Sequence, residues 1–247
     1  RNKQAHSVPP QQQHQHARRE GPRLTPIAVE AAALASIAEA EQVIERLHAA
    51  NDPLLEEHLY EAWLRKGEAL AQLGRHAERV ELCDALIAHA DAAPAGRALW
   101  IVQAFNAKGL AWRAIGKANS EIEAYEEVER RFADATTPEV RTWVAHAAFQ
   151  RAVVAGSLGG AFAKVDMVRS CEDIARRYAN DAPAATREIV ARARIWRGEL
   201  LADLDYPADS REAFDAVWRD LAYVPEPSVA ARVGHAMLRR GYTVNDH

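Results

Sequence analysis

The chain has 247 residues, of which 49% are hydrophobic and 27% charged, and its formal net charge at pH 7 is −4. The acidic balance argues against a dedicated nucleic-acid-binding protein, because such domains are usually basic. No apolar run approaches the roughly eighteen residues that a membrane-spanning helix needs, and no signal-peptide pattern is present. We therefore expect a cytoplasmic protein that binds neither nucleic acid nor membrane.

Residues 1–26 are predicted to form a disordered tail or linker. They are polar, rich in glutamine and histidine, and nearly free of apolar side chains. Five basic residues and one acid give this segment a charge of +4, so the remainder of the chain carries −8. No carboxylate or cysteine supports His6, His14 and His16 as metal ligands, and we expect no metal there. The alternative role is electrostatic docking of the tail on the acidic body or on an anionic partner.

Residues 27–247 are predicted to form an all-α domain of about ten helices. Apolar residues recur at helical spacing, and prolines and glycines separate the periodic segments. The first helix should begin at Thr25 and Pro26, since threonine is a good N-cap and proline suits the first helical turn. We predict helices over residues 26–49, 53–73, 75–90, 94–115, 118–132, 138–157, 161–179, 184–203, 208–222 and 227–241.

A basic residue followed by a small one recurs along the chain at intervals of 42 to 46 residues. A turn residue follows seven positions after the small one, and a proline precedes it by about fourteen positions. Periods of this size are typical of solenoids. The basic–small pairs are Lys66-Gly67, Lys108-Gly109, Arg151-Ala152, Arg197-Gly198 and Arg240-Gly241. The turn residues are Gly74, Gly116, Gly159 and Asp205, and the prolines are Pro53, Pro94, Pro138, Pro183 and Pro227.

Each marker has a physical role in a repeat made of a long helix, a tight turn and a second helix. The proline suits the first helical turn, with Asp52 and Thr137 as candidate N-caps. The small residue permits close approach of a neighbouring helix, and the turn residue ends the first helix. The basic residues should form a ladder whose stems cover the seam and whose charges meet acids such as Glu126 or Glu129. The alternative is a basic strip for an anionic ligand.

The repeat resembles the tetratricopeptide repeat (TPR) family. That family has an aromatic residue, a small residue four later, a glycine seven after that and a large residue nine further on. The first repeat has Trp63, Gly67, Gly74 and Cys83 at these places, and the second has Phe105, Gly109, Gly116 and Tyr125. The period exceeds the 34 residues usual in the family. The resemblance implies a right-handed α-solenoid of antiparallel helix pairs whose first helices line a concave groove.

Carried over residue by residue, the resemblance places a set of side chains on that groove. Asn106 would hold a peptide backbone, Arg113 and Arg192 would fix a carboxylate, and an exposed Phe149 would be the apolar anchor. The alternative is that Phe149 is buried between repeats. Glu61 and Glu68 stand where chaperone-binding TPR proteins need cationic or amide groups, so an acidic chaperone tail is not the expected ligand. The predicted partner-binding residues are Gln103, Asn106, Arg113, His146, Phe149, Arg192 and Glu199.

No motif in the sequence indicates catalysis. The chain has no phosphate-binding loop, no H-E-x-x-H and no G-x-S-x-G, so we predict a protein that is not an enzyme and uses no cofactor or metal. Cys83 and Cys171 are predicted to be buried and unpaired, which fits a reducing compartment.

The sequence favours an interaction module that binds a peptide or protein partner in the concave groove. One alternative is a regulatory or sensor domain of a larger enzyme or signalling protein. Another is a self-assembly element that forms homo-oligomers through the half repeats at the two ends. The fold does not decide among them.

Overall fold

A computed structural model describes residues 25–50, 52–92, 96–181 and 183–245. Within these ranges the chain forms ten α-helices, one 3-10 helix and no strand, so the all-α prediction is confirmed. The predicted tail lies outside the described residues except for its last two positions. Helices α1 to α10 are Pro26–Ala50, Glu56–Gln72, His76–Ala92, Ala98–Ile115, Ala118–Phe132, Pro138–Leu158, Ala161–Tyr178, Ala184–Asp203, Pro207–Leu221 and Pro227–Asn245.

The helices are arranged in two layers. Each helix packs against the next one in the chain, and α4, α6, α8 and α10 also pack against one another in that order. We call these helices, with α2, the inner layer, and α1, α3, α5, α7 and α9 the outer layer. Because each pair contacts mainly its neighbours, this is the arrangement of a helical repeat protein.

Three of the four predicted turns share one geometry. Gly74, Gly116 and Asp205 have left-handed φ values of 70°, 80° and 65°. In each case the next residue donates its N–H to a carbonyl five positions earlier, as Lys117 does to Trp112 at 3.0 Å. This hydrogen bond closes a Schellman motif, which satisfies carbonyls at the end of a helix. The fourth turn differs, because Gly159 has an extended backbone with φ −113°.

Two of the predicted helix starts are wrong. Pro53 begins a 3-10 helix, Pro53–Leu55, and α2 starts only at Glu56. Asp52 therefore caps a turn, in which its Oδ1 accepts the N–H of Leu54 at 2.9 Å. Helix α4 begins at Ala98 because Gly96 has φ 123°, a value that no helical residue adopts. Pro94 lies outside the described residues.

Of the two other predicted N-caps, Thr25 is confirmed and Thr137 is wrong. Thr25 caps α1, since its Oγ1 accepts the N–H of Ala28 at 3.3 Å. Thr137 makes no side-chain cap bond, although Pro138 begins α6. Pro138 alone therefore predicts correctly where α6 begins.

The basic ladder forms ion pairs with the outer layer. Four of its five members meet an acid on the preceding outer helix, and the seam interpretation is confirmed for these four. In the described part of the chain no acid pairs with the fifth, Arg197. Each of the four ion pairs is partly exposed and therefore contributes at most about 1 kcal/mol to stability. The pairs are Lys66–Glu41 at 2.7 Å, Lys108–Asp84 at 2.6 Å, Arg151–Glu129 at 2.6 Å and Arg240–Asp215 at 2.5 Å.

The two cysteines lie in the core of the outer layer. Cys83 and Cys171 are buried and unpaired, as predicted. Burial raises the pKa of each thiol to about 12, so both stay protonated at neutral pH. They behave as small apolar side chains.

Candidate interaction surface

A groove lined mainly by apolar side chains lies between α2 and α4, with α3 as its floor. Its volume is about 320 Å³. Its walls are mainly aliphatic and aromatic side chains, with an exposed Glu68 at the rim. We call it the Cys83 groove. Its lining residues include Trp63, Leu64, Gly67, Leu82, Cys83, Leu86, Gln103, Leu110 and Trp143.

The groove results from the size of one side chain on the outer helix. In the second repeat, the Tyr125 ring packs so tightly on Gly109 that a Cβ there would lie 2.6 Å from it. Phe214 covers Gly198 in the same way, with a corresponding distance of 2.7 Å. The first repeat has Cys83 at this register position. Because the thiol is much smaller than a ring, the space is left open.

Two polar atoms at the groove lack partners. The Oε1 atom of Gln103 and the Nε atom of Arg79 are buried, and neither forms a hydrogen bond within the described residues. A buried polar atom without a partner costs about 1–3 kcal/mol. An N–H group of a bound molecule would satisfy Gln103. Gln103 thus lines the groove, and its partner-binding role stays a prediction.

The next seam of the inner layer, between α4 and α6, is closed by a continuous polar chain. Asn106 Nδ2 donates to the carbonyls of Val102 at 2.8 Å and Trp143 at 3.3 Å. Asn106 Oδ1 and His146 Nδ1 are 2.8 Å apart, and His146 Nε2 lies 3.3 Å from Gln150 Nε2.

The polar chain continues to α5 through an arginine. Arg113 donates to Gln150 Oε1 at 2.9 Å and, through Nε, to Glu121 Oε1 at 2.7 Å. Glu121 is 2% exposed, and Arg113 is the basic residue that pairs with it. Asn106, His146 and Arg113 were all predicted to line the groove. In the structure, each of them forms hydrogen bonds with other residues of the protein.

The predicted roles of Asn106 and Phe149 are corrected by their burial. Asn106 is 1% exposed and its amide is already bonded, so it cannot hold a peptide backbone. Phe149 is 0% exposed and belongs to a core cluster with Ile189 and Ala193, so it is not an exposed anchor. At Phe149, the inner helices α6 and α8 lie too close together to leave an open groove between them. The open alternative, burial of Phe149 between repeats, is the correct one.

The polar chain holds His146 in its neutral form. The pKa of His146 is lowered to about 4, mainly by burial and then by the positive charges of Arg192 and Arg113. The hydrogen bonds agree, because Nδ1 donates to Asn106 and Nε2 accepts from the Gln150 amide. If His146 Nε2 carried a proton, its N–H would face the N–H of the Gln150 amide, and the two donors would repel each other. His146 is thus a structural histidine at neutral pH.

Arg192 and Glu199 line a second concavity, between α8 and α10, with a volume of about 260 Å³. We call it the Arg192 cavity. Glu199 forms an ion pair with Arg239, in which Oε1 and Nε are 2.8 Å apart. The guanidinium carbon of Arg192 lies 4.6 Å from the centre of the Phe149 ring. The lining residues are Arg192, Ile195, Trp196, Glu199, Arg232 and His235.

The predicted partner-binding residues therefore fall in four places, the Cys83 groove, the polar chain, the core around Phe149 and the Arg192 cavity. Sequence reasoning missed the apolar wall of the groove, including Leu82 and Trp143, and it missed Arg232. The small Cys83, at a position where the second and fourth repeats have the rings of Tyr125 and Phe214, was the available signal for the groove.

The layered helices and their short turns define the class as an all-α, helical-repeat-like protein. None of the described helices is both long and apolar enough to cross a lipid bilayer. No known family model matches the sequence, and no curated protein matches it.

Among solved structures, the crystal structure of BtubC (BKLC) from P. vanneervenii is similar to this one. The TM-score is 0.54, the sequence identity is 16%, and the match covers 91% of this chain and 94% of that chain. At this identity the similarity supports the fold and carries no information about function.

Proposed function

We propose that this protein is an interaction module that binds a peptide segment of a partner protein in the Cys83 groove. The observation that carries the proposal is an apolar cleft containing the unpartnered Gln103 carbonyl oxygen. Peptide-binding sites combine apolar pockets for side chains with polar groups for the main chain. The TPR resemblance agrees, because first helices of each pair line the groove in that family.

The bound segment inserts an apolar side chain among Trp63, Leu82 and Leu86 and donates a main-chain N–H to Gln103 Oε1. Hot spots in interfaces are apolar or aromatic anchors in well-packed pockets, with polar groups at the rim. The exposed Glu68 at the rim favours a segment with a basic residue beside the anchor.

Selection from a random peptide display library tests the proposal. Peptides enriched on the wild-type protein should share an apolar anchor, and they should bind Leu64→Glu about tenfold or more weakly. Leu64 lines the groove and is half-buried, so the charged variant changes the cleft without opening the core. Cys83→Phe, which fills the cleft without adding charge, should have a similar effect.

The matched control is Leu158→Glu. Leu158 is 57% exposed at the end of α6, far along the chain from the groove. This control should retain full affinity. Equal binding by Leu64→Glu and wild type, or enrichment of peptides without an apolar anchor, would reject the groove as the site.

A second proposal is self-association through α1. Ile27 is 79% exposed and Leu34 is 49% exposed on this terminal outer helix, and exposed apolar patches mark interaction sites. Light scattering at two protein concentrations should then show a mass that increases with concentration. A monomer at both concentrations would exclude it. We also propose a cytoplasmic location, which the unpaired Cys83 and Cys171 support.

A further inference from the structure

The guanidinium of Arg192, on the inner helix α8, lies over the Phe149 ring but meets no acid among the described residues. Among the described residues, no acidic side chain forms an ion pair with Arg192, and no hydrogen bond is made by its guanidinium. Its neighbours all have partners. Arg113 pairs with Glu121, and Arg232 donates to Glu188 at 3.1 Å. A half-buried guanidinium without an acceptor is costly, since its five donors are then left partly desolvated.

The surroundings of Arg192 have an excess of positive charge. Burial and the charges of Arg232 and Arg113 lower the pKa of the Arg192 guanidinium. The same field acts on His146, whose pKa falls to about 4 partly because of Arg192. A bound anion would relieve both effects.

We propose that the Arg192 cavity binds a carboxylate, the acidic side chain of a peptide. The guanidinium of Arg192 makes a bidentate contact with it, and Ile195 and Trp196 contact the methylene groups of the same side chain. Trp196 is 37% exposed and lines the cavity beside Arg192, so it provides an accessible apolar wall. Planar, paired hydrogen bonds of this kind are the strongest that arginine forms with acids.

The charges in the cavity favour a carboxylate over a phosphate. Glu199 lines the cavity, and Glu188 lies beside it as the partner of Arg232. A phosphate group brings a charge of about −1.5 to −2, which these two carboxylates would repel. A single negative charge is enough to balance Arg192. The inference rests on the proposed function only in taking the acid to be part of a peptide.

A small-molecule titration tests the site without a known partner. The probe is N-acetylglutamate α-amide, which has the one carboxylate of a glutamate side chain. Its glutamine analogue is the neutral control and inorganic phosphate the competing anion. Binding is followed by the NMR signal of the Trp196 indole N–H, assigned with Trp196→Phe. The glutamate probe should shift this signal, while the glutamine analogue should not and phosphate should do so more weakly.

The variants Arg192→Gln and Arg169→Gln remove the same charge from different places. Arg169 is exposed on α7 and is paired with Asp166 at 3.4 Å. Arg192→Gln should bind the probe about tenfold or more weakly, and Arg169→Gln should bind as wild type does. The groove variant Leu64→Glu should also bind the probe normally, so that failure of the groove and failure of the cavity are distinguishable.

A second measurement uses the wild-type protein alone and does not depend on the folding of any variant. Saturation with the glutamate probe should raise the pKa of His146 from about 4 towards its ordinary value, because the bound anion offsets the charge of Arg192. An unchanged His146 titration, equal shifts with the glutamine analogue, or tighter binding of phosphate would overturn the proposal.

Discussion

Two neighbouring seams of the inner layer share helix α4 and have opposite contents. Between α2 and α4 there is an apolar cleft of about 320 Å³. Between α4 and α6 there is a closed polar chain that runs from Asn106 through His146 to Glu121. The outer helix makes part of the difference, since Cys83 occupies the place of Tyr125. A repeat pattern therefore specifies where a groove is possible, and single side chains decide whether it is open.

The largest expected effect comes from breaking the closed repeat at Gly109. A side chain at Gly109 would meet the Tyr125 ring, which is 0% exposed and has no room to move. Gly109→Leu should lower the free energy of unfolding by about 3 kcal/mol, the upper part of the usual range for overpacking. Urea unfolding followed by circular dichroism measures it. An unchanged midpoint would mean that the ring is not fixed against the glycine.

The next largest loss of stability is expected when Asn106 is replaced. Gln103, three residues earlier on α4, provides the comparison. Asn106→Ala should lower the free energy of unfolding by about 2 kcal/mol, because it leaves buried His146 Nδ1 without a partner and removes two further hydrogen bonds to helix carbonyls. Gln103→Ala should not lower it, since Gln103 Oε1 has no bond to lose and a buried oxygen without a partner is removed. Urea unfolding of both variants gives the comparison. Equal losses would remove the distinction between the two seams.

The polar chain should also make stability depend on pH. His146 has a pKa of about 4 in the folded protein and about 6.5 when unfolded. The unfolded chain therefore takes up the proton first as the pH falls. Stability is complete above the unfolded value and decreases as the pH falls towards the folded one. The loss between pH 7 and pH 5 should reach about 2 kcal/mol.

Urea unfolding at the two pH values measures this loss, and His146→Gln is the control. The variant keeps a polar side chain but cannot titrate, whereas the other histidines and the carboxylates remain. Its stability should fall less between pH 7 and pH 5 than that of the wild type. A loss of the same size in both would show that other groups cause the dependence.

The smallest expected effect is a gain in stability. It concerns Gly67 in the first repeat, where the Cys83 groove is open. A Cβ at Gly67 would lie 3.7 Å from Leu82, which is ordinary contact. Gly67→Ala should therefore raise the free energy of unfolding by about 1 kcal/mol through helix propensity. The thermal midpoint should rise accordingly. A decrease would mean that α2 and α3 approach each other more closely at this point than the contact distance indicates.

The sequence predicts the helices, the turns and the close contacts at Gly109, because those features repeat. Gly74, Gly116 and Asp205 each follow a small residue by seven positions, and each ends its helix with a left-handed residue. The start of α4 could not be found by this rule, since Gly96 prevents helix formation after Pro94 and has no equivalent elsewhere.

The candidate site was predictable only in part. Gln103 lines an apolar groove, but Asn106 and Phe149 are buried. A residue's face on its helix follows from spacing, whereas its exposure depends on how near the next helix lies. That distance is set by contacts such as Asn106 with Trp143 across α4 and α6, and no pattern within one helix encodes it.

The position of Cys83 has a consequence for how such a protein changes over generations. Cysteine and tyrosine codons differ at one base, so a point mutation at this site can convert an open repeat into a closed one. The reverse change at Tyr125 would remove a ring at a cost of about 3 kcal/mol and leave a new cleft against Gly109. A chain of related helix pairs can thus gain or lose an apolar cleft in one mutational step, while its neighbouring units keep the fold intact.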